Sequence, residues 1–419
     1  MPAPTRPVRP RHASRAVHRR VLGTLAAASA AILGFAAVGG VTYMQLAVGA
    51  FETHDVSSLL VSEADATKEP DDDTPNDFAA GQPLNIALIG TDERNDENAE
   101  IGGLEGLGGM RGDTTMVVHI SADRSRVEVV SIPRDSRVRI SDCQLFDGTT
   151  VPGWTGKFNI ALANGGQNGN RGEGAACVMR TITDLTGVDF NGHFMMVDFS
   201  GFQKMVDSLG GIPMCIPNDM RSPKANLDLE AGPQVLDGQE ALAFARARTG
   251  SGLGDGTDLM RIERQQDLLT NTVRKVLGAN LLTDVPELTQ FTRSAAESLT
   301  VDTELARVNN IVGLAYSLRN FDTQNLVFTT VPWRYAGDGS GDVLWKEAEA
   351  AAMWESIAND MPIVLDEPDA APSDEPTAEP STSATPSPTP SASATPAPSV
   401  SAEPKRETQQ EILDSCVIP

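Results

Sequence analysis

Apolar and polar positions alternate in short runs and helical stretches across residues 83–362. Residues 84–89 form a brief apolar run ended by Gly90, the pattern of a buried strand. Runs rich in β-branched residues at 115–120 and 127–132 predict two more strands. The turn between them, Ala122-Asp123-Arg124-Ser125, is short enough to require an antiparallel hairpin. Helical signals follow over 175–186, stopped by Gly187, and over 199–209, stopped by Gly210-Gly211, with a strand at 193–199 between them. A strand at 212–216 precedes helical periodicity at 240–248, 258–277, 286–298 and 304–318. A strand at 326–331 and a helix over 345–358 close the pattern. Strands interleaved with helices predict an α/β fold, a three-layer α/β/α domain with a mixed central sheet.

The ends of the chain have other patterns. Residues 1–20 carry Arg6, Arg9, Arg11, Arg15, Arg19 and Arg20 and no acidic residue. Residues 21–50 then carry no charge, a run longer than the roughly 20 residues that cross a bilayer. A cleaved signal peptide is the rival reading, but its apolar region usually runs only about 7–15 residues. The expectation is one transmembrane signal anchor, with residues 1–20 as a cytoplasmic arm and all that follows outside the membrane. An acidic stalk is expected over 51–82, and a disordered Pro/Ser/Thr-rich tail over 363–419. The tail reads equally as a spacer or an inert solubilising segment. Its last residues, including Leu413 and Cys416, regain apolar character that suits docking back by a disulfide.

Outside the membrane, disulfides are favoured. The four cysteines include no Cys-x-x-Cys pair and allow three pairings. Cys143 with Cys177 is the pairing preferred, which would staple the loop that carries Lys157; buried free thiols are the alternative. The net charge of −24 resides largely in stalk and tail and says little about a site.

Candidate chemistry lies where arginine and aspartate stand side by side at strand ends. Arg111-Gly112-Asp113-Thr114 and Ile132-Pro133-Arg134-Asp135 are two such places. A guanidinium grips phosphate oxygens in two places, and a carboxylate can hold a divalent cation. Ala245-Arg246-Ala247-Arg248 and Arg261-Ile262-Glu263-Arg264-Gln265-Gln266 add further guanidinium groups, so a pyrophosphate is the ligand inferred. No Walker loop, nucleophile elbow or complete Gly-x-Gly-x-x-Gly is present. The glycine clusters at 102–109 and 250–256 are expected to be flexible loops that could serve as lids over the site. His119 and His193 fall in strand patterns and read as structural side chains. Without a basic, aromatic-laced surface, nucleic acid is not an expected partner.

These motifs, in this order, resemble the LytR-CpsA-Psr family. Gly90-Thr91-Asp92-Glu93-Arg94 comes first, followed by the two Arg/Asp segments and Lys157-Phe158-Asn159. Val197-Asp198-Phe199-Ser200-Gly201-Phe202, Val206-Asp207-Ser208-Leu209-Gly210-Gly211 and Leu236-Asp237-Gly238 continue the series, which closes with Arg246 to Gln266. The resemblance implies a membrane-anchored extracytoplasmic enzyme that transfers a glycopolymer from a polyprenyl-pyrophosphate carrier to peptidoglycan. By family similarity Arg111, Arg134, Arg246, Arg248 and Arg261 would grip the diphosphate, with Lys157 and Gln265 close by. Asp92 and Asp113 would handle Mg²⁺ (or Mn²⁺), and Asp92 is the candidate general base. Asp135 is expected to orient arginines, and Asp258 to cap the helix that follows it, with a ligand role as its alternative. A polyprenyl-pyrophosphate hydrolase with the same residues, and a non-catalytic lipid-pyrophosphate binding or regulatory protein, are the alternatives.

Overall fold

The computed structural model describes residues 51–60, 77–93, 110–254, 258–278 and 293–364, together with Leu413 and Cys416. The arm and apolar run over 1–50, the glycine cluster at 102–109 and almost all of the Pro/Ser/Thr segment lie outside them, as does the start of the helix expected over 286–298. Among the described residues no helix is long and apolar enough to cross a membrane.

Seven strands make the central mixed sheet: β1 (Glu52–His54), β2 (Leu84–Thr91), β3 (Gly112–Ile120), β4 (Val127–Ile132), β5 (Phe194–Val197), β6 (Leu299–Asp302) and β7 (Leu326–Thr330). Their order is β1-β6-β5-β2-β3-β4-β7. β2, β3 and β4 pair antiparallel, so the expected hairpin is present, with Arg124 at a positive φ of 60° in its turn. β5 runs parallel to β2, β7 parallel to β4, β6 antiparallel to β5, and β1 parallel to β6.

The helices are α1 (Ser57–Leu60), α2 (Ile160–Gly165), α3 (Arg171–Thr186), α4 (Phe199–Ser208), α5 (Gly238–Arg246), α6 (Asp258–Gly278), α7 (Val308–Ser317) and α8 (Glu347–Ala358). The period-two alternation of the strands sorts the core. Ala87, Ile89, Val117, Val130 and Ile132 meet α2, α3 and α8 on one face, through side chains such as Leu162, Ile182 and Trp354. Leu84, Ile86, Val118, Ile120 and Val127 meet Leu305 and Leu314 of the α7 region on the other. A third core joins α4, α5 and α6 to an antiparallel pair, Ile212–Ile216 with Gly232–Leu236. The expected strand at 212–216 is therefore real but lies outside the main sheet.

Local chemistry explains where several elements begin. α3 starts at Arg171, ahead of the apolar pattern, because the Asn170 side chain accepts from Glu173 N at 3.0 Å. Its first turn holds Gly172 and Gly174, poor helix formers that admit neighbours. A Cβ at Gly172 would lie 2.6 Å from the Cβ of His54, and one at Gly174 2.9 Å from a methyl of Leu162. The helix expected from 304 begins only at Val308, since Asp302 accepts from Glu304 N and Leu305 N and turns the chain there first.

Four expectations need correction. The stalk over 51–82 belongs to the domain at both of its described ends. β1 joins the sheet edge, Val56 and Leu59 enter the first core, and Asp77 forms a buried pair with Arg124 Nε at 2.9 Å. The apolar side chains and the neutralised charge draw this segment in. Gly90 does not stop β2, which continues to Thr91 through a bulge at Gly90/Thr91. The helix expected over 240–248 ends at Arg246, where Ala247 turns extended with ψ of 130°. Finally, residues 250–254 are docked rather than loose. Ser251 and Arg221 exchange backbone hydrogen bonds at 3.0 Å, and a Cβ at Gly250 would sit 2.0 Å from Arg221 O.

Disulfides join Cys143 to Cys177 and Cys215 to Cys416. The first closes a sequence separation of 34 residues, for which loop entropy predicts about 3–4 kcal/mol. Replacing Cys143 and Cys177 together by serine should lower the unfolding free energy by about that amount, seen as an earlier midpoint in denaturant. Asp77 provides an independent check. Burial pushes its pKa up, but the hydrogen bonds from Arg124 and Ser317 outweigh that and hold it below the ordinary range. A carboxyl with a depressed folded pKa contributes stability that is present above the unfolded value and lost as pH falls through the folded one. Asp77→Asn should therefore cost about 3 kcal/mol at neutral pH, and should flatten the loss of stability measured between neutral pH and strong acid.

Candidate active site

Strand polarity gathers the site. Because β2, β3 and β4 alternate in direction, the end of β2, the start of β3 and the end of β4 share one end of the sheet. Asp92, the Arg111–Asp113 segment and Arg134-Asp135 stand there. Asp92 N and Asp113 N donate to the same carbonyl, Arg111 O, at 3.2 and 3.1 Å, and Arg111 N donates back to Asp92 Oδ1 at 3.1 Å. The Asp92 carboxylate thus sits on the Arg111 amide, and Asp113 joins the same residue through its backbone.

The first turn of α6 completes the group. Asp258 Oδ1 accepts from Arg248 Nη2 at 2.8 Å and lies 2.7 Å from Arg261 Nη2 and 4.0 Å from Arg134 Nε. Arg134 also pairs through Nη1 with Asp113, and its Nε is 3.7 Å from Asp135. Arg261, only 3 % exposed, donates in addition to Asp113 O at 2.8 Å. Guanidinium and carboxylate groups therefore alternate through the cluster. Burial is the main reason that the Arg261 pKa is pushed down to about 10, which leaves it charged at neutral pH. Asp258, expected as a helix cap, is instead the anion between the arginines, because a carboxylate among several cations is drawn to them.

Several buried polar atoms here have no hydrogen-bond partner among the described residues: Arg134 Nε, Arg261 Nε, Asp258 Oδ2, Thr115 Oγ1 and Asn159 Oδ1. Buried polar groups are rarely left so, and each calls for an explanation. Donors and acceptors clustered at one sheet end suit a ligand rich in oxygen that also brings a cation.

The other expected residues occupy varied positions. Lys157 lies 2.7 Å from Asp135 and 3.5 Å from Asp342, and the hydrogen bond to Asp135 pushes its pKa up. Arg111 is exposed and reaches the cluster through its backbone. Arg246 places its guanidinium over the Phe199 ring, 4.2 Å from the centroid, a cation–π contact at the end of α5. Gln265 donates to Ala245 O at 3.1 Å and so ties α6 to α5. Thus Arg134, Arg248 and Arg261 converge, with Lys157 joined to them through Asp135, while Arg246 lies over Phe199 of α4 and Gln265 ties α6 to α5. His119 and His193 are structural, bonded to Asn85 and Asp302.

Two groups escaped sequence reasoning. Arg137 and Asp342 meet at 2.7 Å across 205 residues, a contact without any local signal. Arg171 joins Glu93 at 2.7 Å, Asp198 at 2.9 Å and Glu52 at 3.1 Å, and so ties β1 to the segment that carries Asp92.

Comparison with known proteins bears on this arrangement. The chain is 29% identical over 283 residues to "Cell wall biosynthesis protein LcpA" of Corynebacterium glutamicum, covering 63% of this chain and 52% of that protein. It is 32% identical over 280 residues to "Probable cell wall biosynthesis protein LcpB" of the same organism, covering 65% and 60%. The chain thus spans only about half to three fifths of the length of these relatives. A protein of Enterococcus faecalis named "Polyisoprenyl-teichoic acid--peptidoglycan teichoic acid transferase TagU" is 28% identical over 207 residues, 49% of this chain and 58% of that one. Among solved structures, B. subtilis TagV shares the fold with a TM-score of 0.50 at 21% identity, covering 67% of this chain and 98% of TagV. The LytR_cpsA_psr family model matches residues 53–359, from β1 to the end of α8. This chain belongs to the LytR-CpsA-Psr family.

Proposed function

We propose that this protein is a membrane-anchored extracytoplasmic phosphotransferase that moves a glycopolymer from a polyprenyl-pyrophosphate carrier to peptidoglycan and releases polyprenyl phosphate. The observation that carries the proposal is the convergence of Arg134, Arg248 and Arg261, two of which keep a buried Nε–H group with no hydrogen bond among the described residues. Phosphoryl transfer is chiefly positioning and electrostatic stabilisation, and guanidinium forks meet both needs. The reaction named for the Enterococcus relative supports the same chemistry.

In this reading Arg134, Arg248 and Arg261 grip the diphosphate, with Arg111, Arg246, Lys157 and Gln265 around them. A hydroxyl of the peptidoglycan acceptor attacks the sugar-proximal phosphorus. The bond from that phosphorus to the bridging oxygen breaks, and polyprenyl phosphate departs. Asp92 takes the hydroxyl proton. Asp92 and Asp113 would hold Mg²⁺ or Mn²⁺, which supplies positive charge to the diphosphate oxygens. Their chemistry fits: the Asp92 carboxylate and the Asp113 segment meet at Arg111, and Thr115 and Asn159, each with a buried oxygen that lacks a hydrogen-bond partner among the described residues, are close in sequence to Asp113 and Lys157. Among the described residues no group of three His, Cys, Asp or Glu is spaced to hold a metal. A hard cation of this size commonly binds through one or two carboxylates, substrate phosphates and water.

An anchor at residues 21–50 would fit the direction of the chain. β1 is parallel to β6, β6 antiparallel to β5, and β5 parallel to β2, so β1 starts where β2 ends. The segment that follows the proposed anchor therefore enters the domain at the site end. A lipid-borne diphosphate would meet the arginines close to its own membrane.

The test combines the purified chain, a polyprenyl-pyrophosphate-linked sugar and peptidoglycan oligomers, with and without Mg²⁺. Sugar phosphate joined covalently to peptidoglycan, only with the metal, is the expected result. Cleavage of the diphosphate without transfer would point to a hydrolase, and binding without turnover to a non-catalytic role. Arg134→Ala and Asp113→Asn should each lower turnover by about a hundredfold or more while circular dichroism stays unchanged. A normal rate in either variant would remove that residue from the site.

A further inference from the structure

We infer that Asp342, carried by the C-terminal hairpin Trp333–Tyr335/Val343–Trp345, is a positioning residue that holds Lys157 at the rim of the diphosphate site. The inference deepens the function proposed above and rests on it.

Asp342 is a bridge. Its Oδ1 lies 3.5 Å from Lys157 Nζ, and its Oδ2 accepts from Arg137 Nε at 2.7 Å. The Lys157 ammonium also meets Asp135 at 2.7 Å, so it stands between one carboxylate of the site segment and one of the hairpin. The side chain of Asp342 is only 12 % exposed, whereas that of Lys157 is 40 % exposed. A lysine stem has many rotamers, and two carboxylates in set places select among them. Without Asp342 the ammonium keeps one partner and is free to swing about it.

The hairpin is itself held in place. Val343 N donates to Asp135 O at 3.0 Å, and Trp345 Nε1 donates to the Oγ of the fully buried Ser136 at 3.1 Å. Its tip is pre-shaped. Asp338 Oδ1 accepts from Ser340 N at 3.0 Å, Ser340 Oγ accepts from Asp342 N at 3.1 Å, and Gly337, Gly339 and Gly341 take φ of 75–76°, open to glycine. Asp338 reaches Arg137 Nη2 at 2.7 Å. Its described contacts do not include Lys157, which makes it an internal control for the loop.

The experiment is calorimetric binding of inorganic pyrophosphate with Mg²⁺ to the full chain in detergent. Asp342→Asn should weaken binding by about fivefold, the scale on which contacting residues couple. In a Lys157→Met background the same substitution should have no further effect. Asp338→Asn should leave affinity unchanged. If Asp342→Asn melts below the assay temperature, Asp342→Glu carries the test: it keeps the charge but displaces it by one methylene, and its smaller loss should likewise vanish without Lys157. Unchanged affinity in Asp342→Asn would overturn the inference. So would an equal loss with and without Lys157, since the residue would then act on the fold and not through the ammonium. A native chain that binds no pyrophosphate would instead overturn the diphosphate reading itself.

Discussion

Three guanidinium groups cannot occupy one small, half-buried volume unless anions separate them. Arg134, Arg248 and Arg261 are held near one another by Asp113, Asp135 and Asp258, and this alternation of charge is the constraint on which the arrangement depends. A buried charge without a partner is far more costly than a buried pair. Arg261 and Asp258 are both nearly enclosed, and each is tolerable because the other is present. Hydrogen bonding is nonetheless incomplete, because the Nε atoms of Arg134 and Arg261 and one oxygen of Asp258 have no hydrogen-bond partner among the described residues. Such departures from full satisfaction are expected where a protein keeps binding capacity in reserve for a ligand.

The scaffold serves that cluster through direction more than through proximity in sequence. The antiparallel pairings of β2 with β3 and β3 with β4 bring the Asp92, Asp113 and Arg134 segments to one sheet end. The third core then sets the first turn of α6 against them, with Gln266 of α6 bonded to Ser131 at 2.9 Å and to Thr329 O at 3.0 Å. Arg171 secures the entering strand on one side, and the C-terminal hairpin secures the segment after β4 on the other. Packing and electrostatics thus converge from both ends of the domain on the same few residues.

Much of this was legible in the chain. The apolar runs of β2, β3 and β4 announce themselves, because strands buried on both faces need continuous apolar side chains. The Arg/Asp motifs at their ends point to the sheet end at which the Asp92, Asp113 and Arg134 segments meet. What escaped notice has physical reasons. β1 and β6 are strands of three and four residues, too short for a periodic signal. Arg-Ala-Arg at 246–248 suggests two equivalent cations, yet α5 ends after the first, so Arg246 stacks on Phe199 while Arg248 turns to Asp258. Asp258 looked like a cap because helix starts favour aspartate, and only the fold shows which cations surround it. Contacts such as Arg137 with Asp342 depend on chain closure across 205 residues and leave no mark on the local pattern.

The Cys215–Cys416 bond changes what kind of segment the Pro/Ser/Thr stretch is. One of its ends continues from Val364, and the other is fixed by sulfur to a strand of the third core, so the covalent path returns to the domain. The stretch is therefore covalently tied to the domain at both of its ends. A protease that cuts it once, anywhere between 365 and 415, frees no fragment, because both pieces remain joined through Cys416. Shedding requires a second cut or a reductant, which places the segment's retention under the control of the redox state of its surroundings.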